Sequence, residues 1–445
     1  MEKTIKKNDE IIVDIIDYGT NGEGIAKVDG YTLFINGALK GERCKIHITK
    51  ALTSYAYAKI TEIIKKSEHR IESDCDTYKR CGGCCLRHIQ YKETLKIKTQ
   101  KVQNLVDKML EKKIIVKETI GMEFPYHYRN KTIYPISIDK KIGFYSNRSH
   151  KIVPISECKI QTKLSQQIAN YIAQNYKGTI YNEETEKGTL RNIMIREGFE
   201  TNEVMVVLVQ TDNKTLIDIK KLTSKFKQIK TIIININNKK TNVVLSNKNE
   251  IVYGNGYIKD KLGDYYFKIS PNSFFQVNST QTEKIYNYAI EHSNLNKNDI
   301  LCDLYCGIGT IGIFSSKSVE QIYGIEIVSQ AIIDAKQNVK INNINNIEFI
   351  EGDVEIAFDK LLKDGIKPNA IIVDPPRRGL DHKTIENLNK IKLEKLVYIS
   401  CNPSTLMRDL NKLSKVYKII EIQPFDNFCY TSHVETIAVL RLKNN

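Results

Sequence analysis

The sequence contains no tryptophan, only 8 histidines and no long apolar run. No stretch of about 18 consecutive apolar residues occurs, so the sequence offers no segment of the kind that forms a transmembrane helix. The first ten residues, MEKTIKKNDE, lack the apolar segment of a secretory signal peptide. We therefore predict a cytoplasmic protein that has no membrane partner.

Negative charge is also scarce relative to positive charge. Lysine and arginine together number 67, against 52 aspartates and glutamates, which gives a formal net charge of +15. Such an excess favours a polyanionic partner, and nucleic acid is the leading candidate. A proteome rich in lysine, asparagine and isoleucine would give the same excess, so charge alone does not decide between these two interpretations.

The length of 445 residues exceeds what a single hydrophobic core supports. Residues 9–62 contain five short segments of alternating polarity separated by glycine turns. This pattern predicts a small Greek-key β-barrel of the OB type. Residues from about 120 to 262 are rich in strand patterns, without a regular alternation with helices. We therefore expect a β-rich central domain after the barrel.

From about residue 265 the pattern changes. Seven apolar strand segments follow one another with helical segments between them, which is typical of a doubly wound, Rossmann-like α/β sheet. The ligands of such sheets bind at the carboxyl ends of the strands. The predicted division is a barrel at 1–62, a central domain at 63–262 and an α/β domain at 263–445. A helical segment at about 92–118 is expected to pack on the α/β domain.

The ten cysteines are unevenly spaced, and in a cytoplasmic protein they do not suggest a disulfide framework. Cys75, Cys81 and Cys84 lie together on a glycine-bearing turn, and Cys158 is the candidate for a fourth thiolate. Four thiolates can bind either a [4Fe–4S] cluster or a tetrahedral zinc ion. Zinc sites more often pair two short C-x₂₋₄-C motifs, and one is present here, but spacing alone does not decide.

A glycine-rich turn follows the first strand of the α/β domain. The segment 307–312 fits the pattern G-x-G-x-x-G, and Glu326 ends the next strand as a carboxylate suited to ribose hydroxyls. This pattern alone also describes a nicotinamide-dinucleotide site. Asp303 before the turn and the sequence Asp-Pro-Pro-Arg at 374–377 favour S-adenosylmethionine instead. Glycines that merely pack a strand against a helix are a third interpretation.

A thiol and a carboxylate lie at the predicted ligand edge of the same domain. Cys401, in Ser-Cys-Asn-Pro, follows one strand, and Glu435 precedes the last strand. A thiolate that adds to C6 of a pyrimidine activates C5 for methylation, and a base must then remove the C5 proton. A lone cysteine at a strand end is most often a small buried hydrophobe. Packing is the better interpretation for three other cysteines of this domain, Cys302, Cys306 and Cys429.

Together these motifs resemble those of the RNA uracil-C5 methyltransferase family, which forms 5-methyluridine in 23S ribosomal RNA and in tRNA. The matching segments are 270–278, 303–309, 374–377, 400–403 and 433–436. The resemblance implies that Cys401 is the nucleophile and Glu435 the general base. It also implies an S-adenosyl-L-methionine site formed by Gln276, Tyr305, Glu326 and Asp374, with Thr310 and Asp353 as further members.

The same resemblance implies an N-terminal TRAM domain, an RNA-binding barrel, at residues 9–62. The ribosomal-RNA branch of the family carries an iron–sulfur cluster in its central domain, which favours [4Fe–4S] over zinc. Its ligands would be Cys75, Cys81, Cys84 and Cys158. Cys85, directly after the third cysteine, departs from the family pattern. Because the tRNA branch usually lacks both features, the expected partner is 23S rRNA, and no DNA partner is expected.

Several interpretations remain beside this one. Aromatic and basic side chains at 126–131 and 144–151 suit RNA contacts as well as they suit a solvated strand face. Cytosine-C5 methyltransferases usually place a second cysteine beside a proline, and this sequence has no Pro-Cys pair. Amino-group methyltransferases usually have an aromatic residue after Asp-Pro-Pro, where this chain has Arg377. A tRNA target and a non-catalytic role in ribosome assembly are further alternatives. In the uracil interpretation, the target base must leave its stack to reach Cys401.

Overall fold

The computed structural model describes residues 5–147 and 149–443. Arg148, in the basic and aromatic stretch 144–151, lies outside the described residues. The chain forms a six-stranded N-terminal sheet, a five-stranded central sheet, a seven-stranded C-terminal sheet and two small two-stranded sheets. Within the described ranges no helix is long and apolar enough to cross a membrane.

The N-terminal sheet has six strands where the sequence predicted five. They are β1 Glu10–Asp14, β2 Asp17–Tyr18, β3 Gly24–Val28, β4 Tyr31–Asn36, β5 Arg43–Ala51 and β6 Tyr55–Lys65. Their spatial order is β1-β5-β6-β4-β3-β2. Alternate residues of β5, namely Cys44, Ile46 and Ile48, are fully buried, as expected when one face of a strand packs on a core. The additional strand, β2, has two residues, too few to show a periodic pattern.

Helix α1, Tyr91–Met109, follows an irregular segment that carries four of the cysteines. Its buried residues Val102 and Val106 belong to a hydrophobic cluster of the C-terminal sheet. The helix ends short of the limit near 118 that the sequence predicted. The amides of Lys117 and Ile120 instead donate to main-chain carbonyls of a C-terminal strand, each at 3.0 Å. The residues after the helix therefore run in extended form beside that strand.

The central sheet contains more helix around it than the sequence predicted. Its elements are β7 Lys131–Pro135, β8 Gly143–Tyr145, β9 Ile152–Pro154, α2 Lys163–Asn175, β10 Leu190–Glu197, β11 Val204–Gln210, α3 Ile219–Lys225, β12 Ile229–Ile236 and β13 Asn249–Tyr253. The five main strands have the order β13-β12-β11-β10-β7, while β8 pairs with β9. One face packs on Ile168 and Ile172 of α2. The other face packs, through Met194 and Met205, on Phe275 of the C-terminal part.

The C-terminal part begins with a hairpin and continues as an α/β sheet. Its elements are β14 Ile258–Leu262, β15 Tyr265–Ile269, α4 Ser279–Ser293, β16 Ile300–Leu304, α5 Thr310–Ser315, β17 Gln321–Glu326, α6 Ser329–Ile341, β18 Ile347–Glu351, α7 Val354–Lys363, β19 Ala370–Val373, α8 His382–Ile391, β20 Lys395–Ser400, α9 Pro403–Leu413, β21 Tyr417–Phe425 and β22 Glu435–Leu442. A 3₁₀ turn at Ser316–Ser318 follows α5. The order of the sheet is β18-β17-β16-β19-β20-β22-β21.

The direction of β22 decides where the last candidate residue lies. The strands from β18 to β20 are parallel, whereas β22 is antiparallel to both β20 and β21. Thr436 near its start pairs with Ser400 at the end of β20. The reversal therefore brings Glu435 to the carboxyl edge of the parallel strands, next to Cys401.

Candidate active site

A cavity of about 930 Å³ opens at the carboxyl edge of the C-terminal sheet. It is lined by all eight residues predicted for catalysis and cofactor binding: Cys401, Glu435, Gln276, Tyr305, Glu326, Asp374, Thr310 and Asp353. Most of them lie at or just after the ends of strands, where open α/β sheets bind their ligands. The fold thus places the thiol, the carboxylate and the glycine turn in one cavity.

The turn after β16 depends on residues with positive φ. Tyr305, Gly307 and Gly309 have φ values of 66°, 55° and 81°. A Cβ atom at Gly309 would lie 2.7 Å from the Phe349 ring, whereas a Cβ atom at Gly307 would meet nothing within 4 Å. Gly309 is therefore required by packing. Gly307 leaves its main chain open to the cavity, where a ligand can approach it closely.

Two carboxylates hold this turn in place. The oxygens of Glu326 accept hydrogen bonds from the amides of Gly307 at 3.1 Å and Val328 at 2.9 Å. Asp303 is fully buried and accepts from the Gly312 amide at 2.9 Å. Burial raises the pKa of Asp303 to about 7. Asp303 does not line the cavity, so it supports the turn from below rather than facing a ligand.

Cys401 lies on a tight turn between β20 and α9. The Asn402 amide donates to Ser400 Oγ at 3.1 Å, and Asn402 Oδ1 caps α9 by accepting from the Ser404 amide at 3.2 Å. Asn402 Nδ2 also donates to the carbonyl of Arg377 at 3.0 Å. The thiol is therefore held on hydrogen-bonded main chain, and the Asp-Pro-Pro-Arg loop is fixed beside it.

The charges around the thiol oppose its ionisation. Burial, and after it the negative charges of Glu435 and Asp374, raise the pKa of Cys401 to about 11, while Arg377 acts in the opposite direction. These surroundings therefore disfavour the thiolate, and a base or a positive charge beside the thiol would favour its ionisation.

The two carboxyl groups form an interacting pair. Glu435 is 2% exposed, and one of its oxygens has no hydrogen-bond partner among the residues the structure describes. Burial first, and then the charge of Asp374, raise the pKa of Glu435 well above its ordinary range. Burial also raises the pKa of Asp374, which is partly exposed to the cavity. Such a pair holds and releases a proton closer to neutral pH than an isolated carboxylate.

The predicted cysteine site is a second cavity, of about 450 Å³. Cys75, Cys81, Cys84 and Cys158 all line it. Four cationic side chains line it as well: Arg87, Arg129, Lys131 and Lys159. Nη1 of Arg87 and Nε of Arg129 are buried and have no hydrogen-bond partner within the described chain. Across residues 5–147 and 149–443 no group of three or more His, Cys, Asp or Glu side chains is arranged to hold a metal ion.

Cys85 faces away from that cavity. Its side chain packs against a small cluster that contains Leu39, Leu86 and Ile89. The amides of Cys85 and Leu86 donate to the carbonyl of Tyr430 at 3.1 and 3.0 Å. The cysteine loop is thereby joined by main-chain hydrogen bonds to the segment that precedes Glu435.

The comparison with known families covers nearly the whole chain. The family model described as tRNA (Uracil-5-)-methyltransferase matches residues 90–443. The chain belongs to the tRNA (uracil-5-)-methyltransferase family. A TRAM domain model matches residues 6–61, where the sequence predicted an RNA-binding barrel.

Similar proteins of this methyltransferase family come from other organisms. A Clostridium tetani protein named "Uncharacterized RNA methyltransferase" is 42% identical over 98% of this chain and 97% of its own length. A Clostridium acetobutylicum RNA methyltransferase is 43% identical over 99% of both chains. Among solved structures, the Pyrococcus abyssi tRNA (uracil-54, C5)-methyltransferase in complex with S-adenosyl-L-homocysteine is 28% identical. That match has a TM-score of 0.77 and covers 96% of this chain and 99% of the other.

These findings confirm the predicted family and fold class. The chain is an S-adenosylmethionine-dependent RNA (uracil-C5-)-methyltransferase with a Rossmann-like α/β domain and an N-terminal TRAM domain. RNA is its substrate class. The nicotinamide interpretation of the glycine turn is excluded by the same findings.

Several residues in or beside the methyltransferase cavity were not predicted from the sequence, among them Asp381, Phe428 and Asn427. Asp381 caps α8 and accepts from the Tyr305 hydroxyl at 3.2 Å. Phe428 lines the cavity, and Asn427 Nδ2 donates to Gln276 Oε1 at 3.5 Å. The capping pattern before α8 was a local signal for Asp381. The other two lie in an irregular segment, which gave no periodic signal.

Proposed function

We propose that this enzyme forms 5-methyluridine in 23S rRNA through a transient covalent bond between Cys401 Sγ and C6 of the target uracil. The observation that carries the proposal is the single cavity shared by Cys401, Glu435 and the glycine turn. The proposed division of the chain remains 1–62, 63–262 and 263–445, with α1 packed on the last domain.

The chemistry follows from the weak nucleophilicity of C5. The Cys401 thiol gives its proton to solvent water, its sulfur bonds to C6, and the C5–C6 electron pair moves onto C5 and the O4 oxygen. S-adenosylmethionine supplies an electrophilic methyl group, and C5 forms a bond to this carbon as the carbon–sulfur bond of the donor breaks. C5 then carries both a methyl group and its original hydrogen. Removal of that hydrogen as a proton restores the C5–C6 double bond and releases Cys401 as the thiolate.

Glu435 is the proposed base for this last proton. Its raised pKa makes its carboxylate more basic than an exposed one, and its unpartnered oxygen is free to accept a proton. The neighbouring Asp374 contributes by keeping that proton affinity high. Gln276, Tyr305 and Glu326 are proposed to hold the cofactor with Asp374, and Thr310 and Asp353 complete the proposed cofactor set.

We further propose that the second cavity holds a [4Fe–4S] cluster bound by Cys75, Cys81, Cys84 and Cys158. All four cysteines line one cavity of about 450 Å³. A cavity of this volume suits a multi-atom cluster better than zinc, whose sulfur ligands all lie about 2.3 Å from one ion. A cluster with four thiolates is anionic, and the surrounding cations and unpartnered guanidinium nitrogens suit that charge. The methyl transfer needs no electrons, so the proposed role is structural.

The choice of 23S rRNA depends on the family resemblance. A ribosomal target accounts for the TRAM domain together with the cysteine site. A tRNA target is the second candidate, because the Pyrococcus abyssi neighbour acts on tRNA and spans 96% of this chain. Methylation of 23S rRNA fragments and of tRNA transcripts by the purified enzyme, followed by mapping of 5-methyluridine, separates the two. Incorporation into tRNA alone would reject the ribosomal proposal.

The covalent step is tested with RNA that carries 5-fluorouridine at the target. In this RNA fluorine replaces the C5 hydrogen, and a base cannot abstract it, so the covalent bond to the enzyme cannot be released. The wild-type enzyme should therefore form a complex with this RNA that survives denaturing electrophoresis. Cys401→Ala should form none. Cys306→Ala removes another thiol that lines the same cavity and should still form the complex. A covalent complex with Cys401→Ala would reject Cys401 as the nucleophile.

A further inference from the structure

The loop 270–278 carries three residues that line the active-site cavity, Phe274, Phe275 and Gln276. Phe275 is buried against the central sheet, whereas Phe274 is 66% exposed. The loop is not a strand of either sheet, so no ladder of strand hydrogen bonds fixes its conformation. Other groups must hold it for Gln276 to keep one position.

A buried arginine of the central sheet reaches the beginning of this loop. Arg196, on β10, is 1% exposed. Its Nη1 donates to the carbonyls of Ser270 at 3.1 Å and Ser273 at 3.0 Å, and its Nη2 donates to Ser273 at 3.1 Å. Burial lowers the pKa of Arg196, and the negative charge of Asp334 acts in the opposite direction. Burial of a charge is costly, and the three hydrogen bonds to loop carbonyls offset part of that cost.

The side chains of the same two serines are held by a residue of a different element, Asp334 on helix α6. Ser270 Oγ donates to Asp334 Oδ1 at 3.0 Å, and Ser273 Oγ donates to Asp334 Oδ2 at 2.6 Å. Asp334 lies on α6 and is fully buried. The turn at 270–273 therefore lies between two buried charged groups. The Arg196 guanidinium donates hydrogen bonds to its carbonyls, and the Asp334 carboxylate accepts hydrogen bonds from its serine hydroxyls.

The end of the loop is held by a neighbouring strand of the central sheet. Asn130, directly before β7, is 2% exposed, and its Nδ2 donates to the carbonyl of Gln276 at 2.9 Å. The Asn130 amide donates to the carbonyl of Val277, also at 2.9 Å. β7 pairs with β10, so Asn130 and Arg196 are close neighbours on one sheet.

We propose that Arg196 is a positioning residue of the methyltransferase, which, with Asn130 and Asp334, fixes the loop 270–278 so that Gln276 keeps its place in the cofactor cavity. This inference rests on the proposed cofactor role of Gln276. Arg196 does not line the cavity, so it acts only through the loop. The same contacts join the central sheet to the cofactor site.

The chain provides a matched control on the same strand. Arg191, also on β10, is 8% exposed, and its Nη1 donates to the carbonyls of Asn237 at 3.1 Å and Lys239 at 2.8 Å. These carbonyls belong to a connection that does not line the cavity. Arg191 also pairs with Glu183, with Nη2 3.2 Å from Oε1. Arg191→Met and Arg196→Met therefore each remove a buried guanidinium that donates to main-chain carbonyls of one connection, and only the second removes it from the loop 270–278.

The experiment measures the binding of S-adenosylhomocysteine to each variant by calorimetry, without RNA. Arg196→Met should weaken binding on the order of tenfold, the ratio that corresponds to one lost charge-assisted hydrogen bond. Arg196→Lys should restore part of the affinity, and Arg191→Met should bind like the wild type. Equal affinities of the Arg196→Met and Arg191→Met proteins would overturn the proposal. Because this readout needs neither RNA nor Cys401, a failure of the covalent mechanism leaves it unaffected.

A second measurement reports the mobility of the loop itself, and a check of the fold distinguishes a loosened loop from an unfolded protein. The chain has no tryptophan, so Phe274→Trp introduces a single tryptophan on the loop, which can be excited at a wavelength that the 24 tyrosines do not absorb. In this background Arg196→Met should lower the fluorescence anisotropy of the tryptophan, whereas Arg191→Met should not. An unchanged anisotropy together with lost binding would also overturn the proposal. Circular dichroism of each variant reports whether the fold is intact.

Discussion

The reactivity of Cys401 tests the electrostatics of the cavity most directly. Its thiol pKa is raised from an ordinary value of 9.0 to about 11. A shift of about two units lowers the thiolate fraction at neutral pH about a hundredfold. Because alkylation by iodoacetamide requires the thiolate, its rate at Cys401 should rise about tenfold per pH unit between pH 7 and about 10. The rate is measured by mass spectrometry of the peptide that contains Cys401, with N-acetylcysteine as the reference thiol.

The neighbouring charges give the sign of two further measurements. Glu435→Gln removes a negative charge that raises the thiol pKa, so alkylation at pH 8 should become faster. Arg377→Gln removes a positive charge that lowers the pKa, so alkylation should become slower. A rate at Cys401 that reaches a plateau below about pH 9.5 would refute the raised pKa, as would changes of the opposite sign in these two variants.

Three other predictions concern the turn, a buried ion pair and the cysteine loop. Gly309→Ala, at φ 81° and with an aromatic ring 2.7 Å from the new Cβ, should weaken binding of S-adenosylhomocysteine, whereas Gly30→Ala, also at φ 81° but with nothing within 4 Å, should not. Lys98→Met breaks a fully buried pair with Asp426 and should lower the free energy of unfolding in urea by about 3–5 kcal/mol. The double variant with Asp426→Asn should recover part of this loss. Cys85→Ala should retain the iron content of the wild type, measured after anaerobic purification, because its side chain faces away from the cysteine cavity.

The seven strands of the α/β domain were predictable because each is a continuous apolar run between helical segments. Cys401 and Glu435 could be named because they flank strands of this sheet. The remaining cofactor candidates, such as Gln276 in its loop, were named from the family resemblance. The direction of β22 was not predictable, since it depends on pairing with both β20 and β21 over a distance in sequence. Glu435 was nevertheless expected at the correct edge, because its place beside Cys401 followed from the required chemistry and not from the strand direction.

The central domain shows the limit of sequence patterns more clearly. β10 and β11 are buried on both faces, so they show no alternation, and helices α2 and α3 between short strands escaped detection. Arginine is a residue type that is seldom fully buried, yet Arg196 is buried. Its partners are carbonyl groups of a loop more than 70 residues away, and main-chain acceptors leave no trace in side-chain patterns. The sequence likewise did not show whether Cys85 belongs with the other clustered cysteines. The structure separates it from them, because its side chain packs against Leu86 and Ile89 and does not line the cysteine cavity.

The position of α1 sets a limit on how the enzyme can be cut into fragments. Val102 and Val106 complete the hydrophobic cluster beneath α9, although α1 precedes the central domain in the chain. A fragment that starts at residue 263 would leave that apolar surface open to water and should aggregate on expression. Supplying the α1 segment as a separate peptide, or joining it through a flexible linker, should return such a fragment to solution. We therefore expect the smallest catalytic unit of this protein to be discontinuous in sequence.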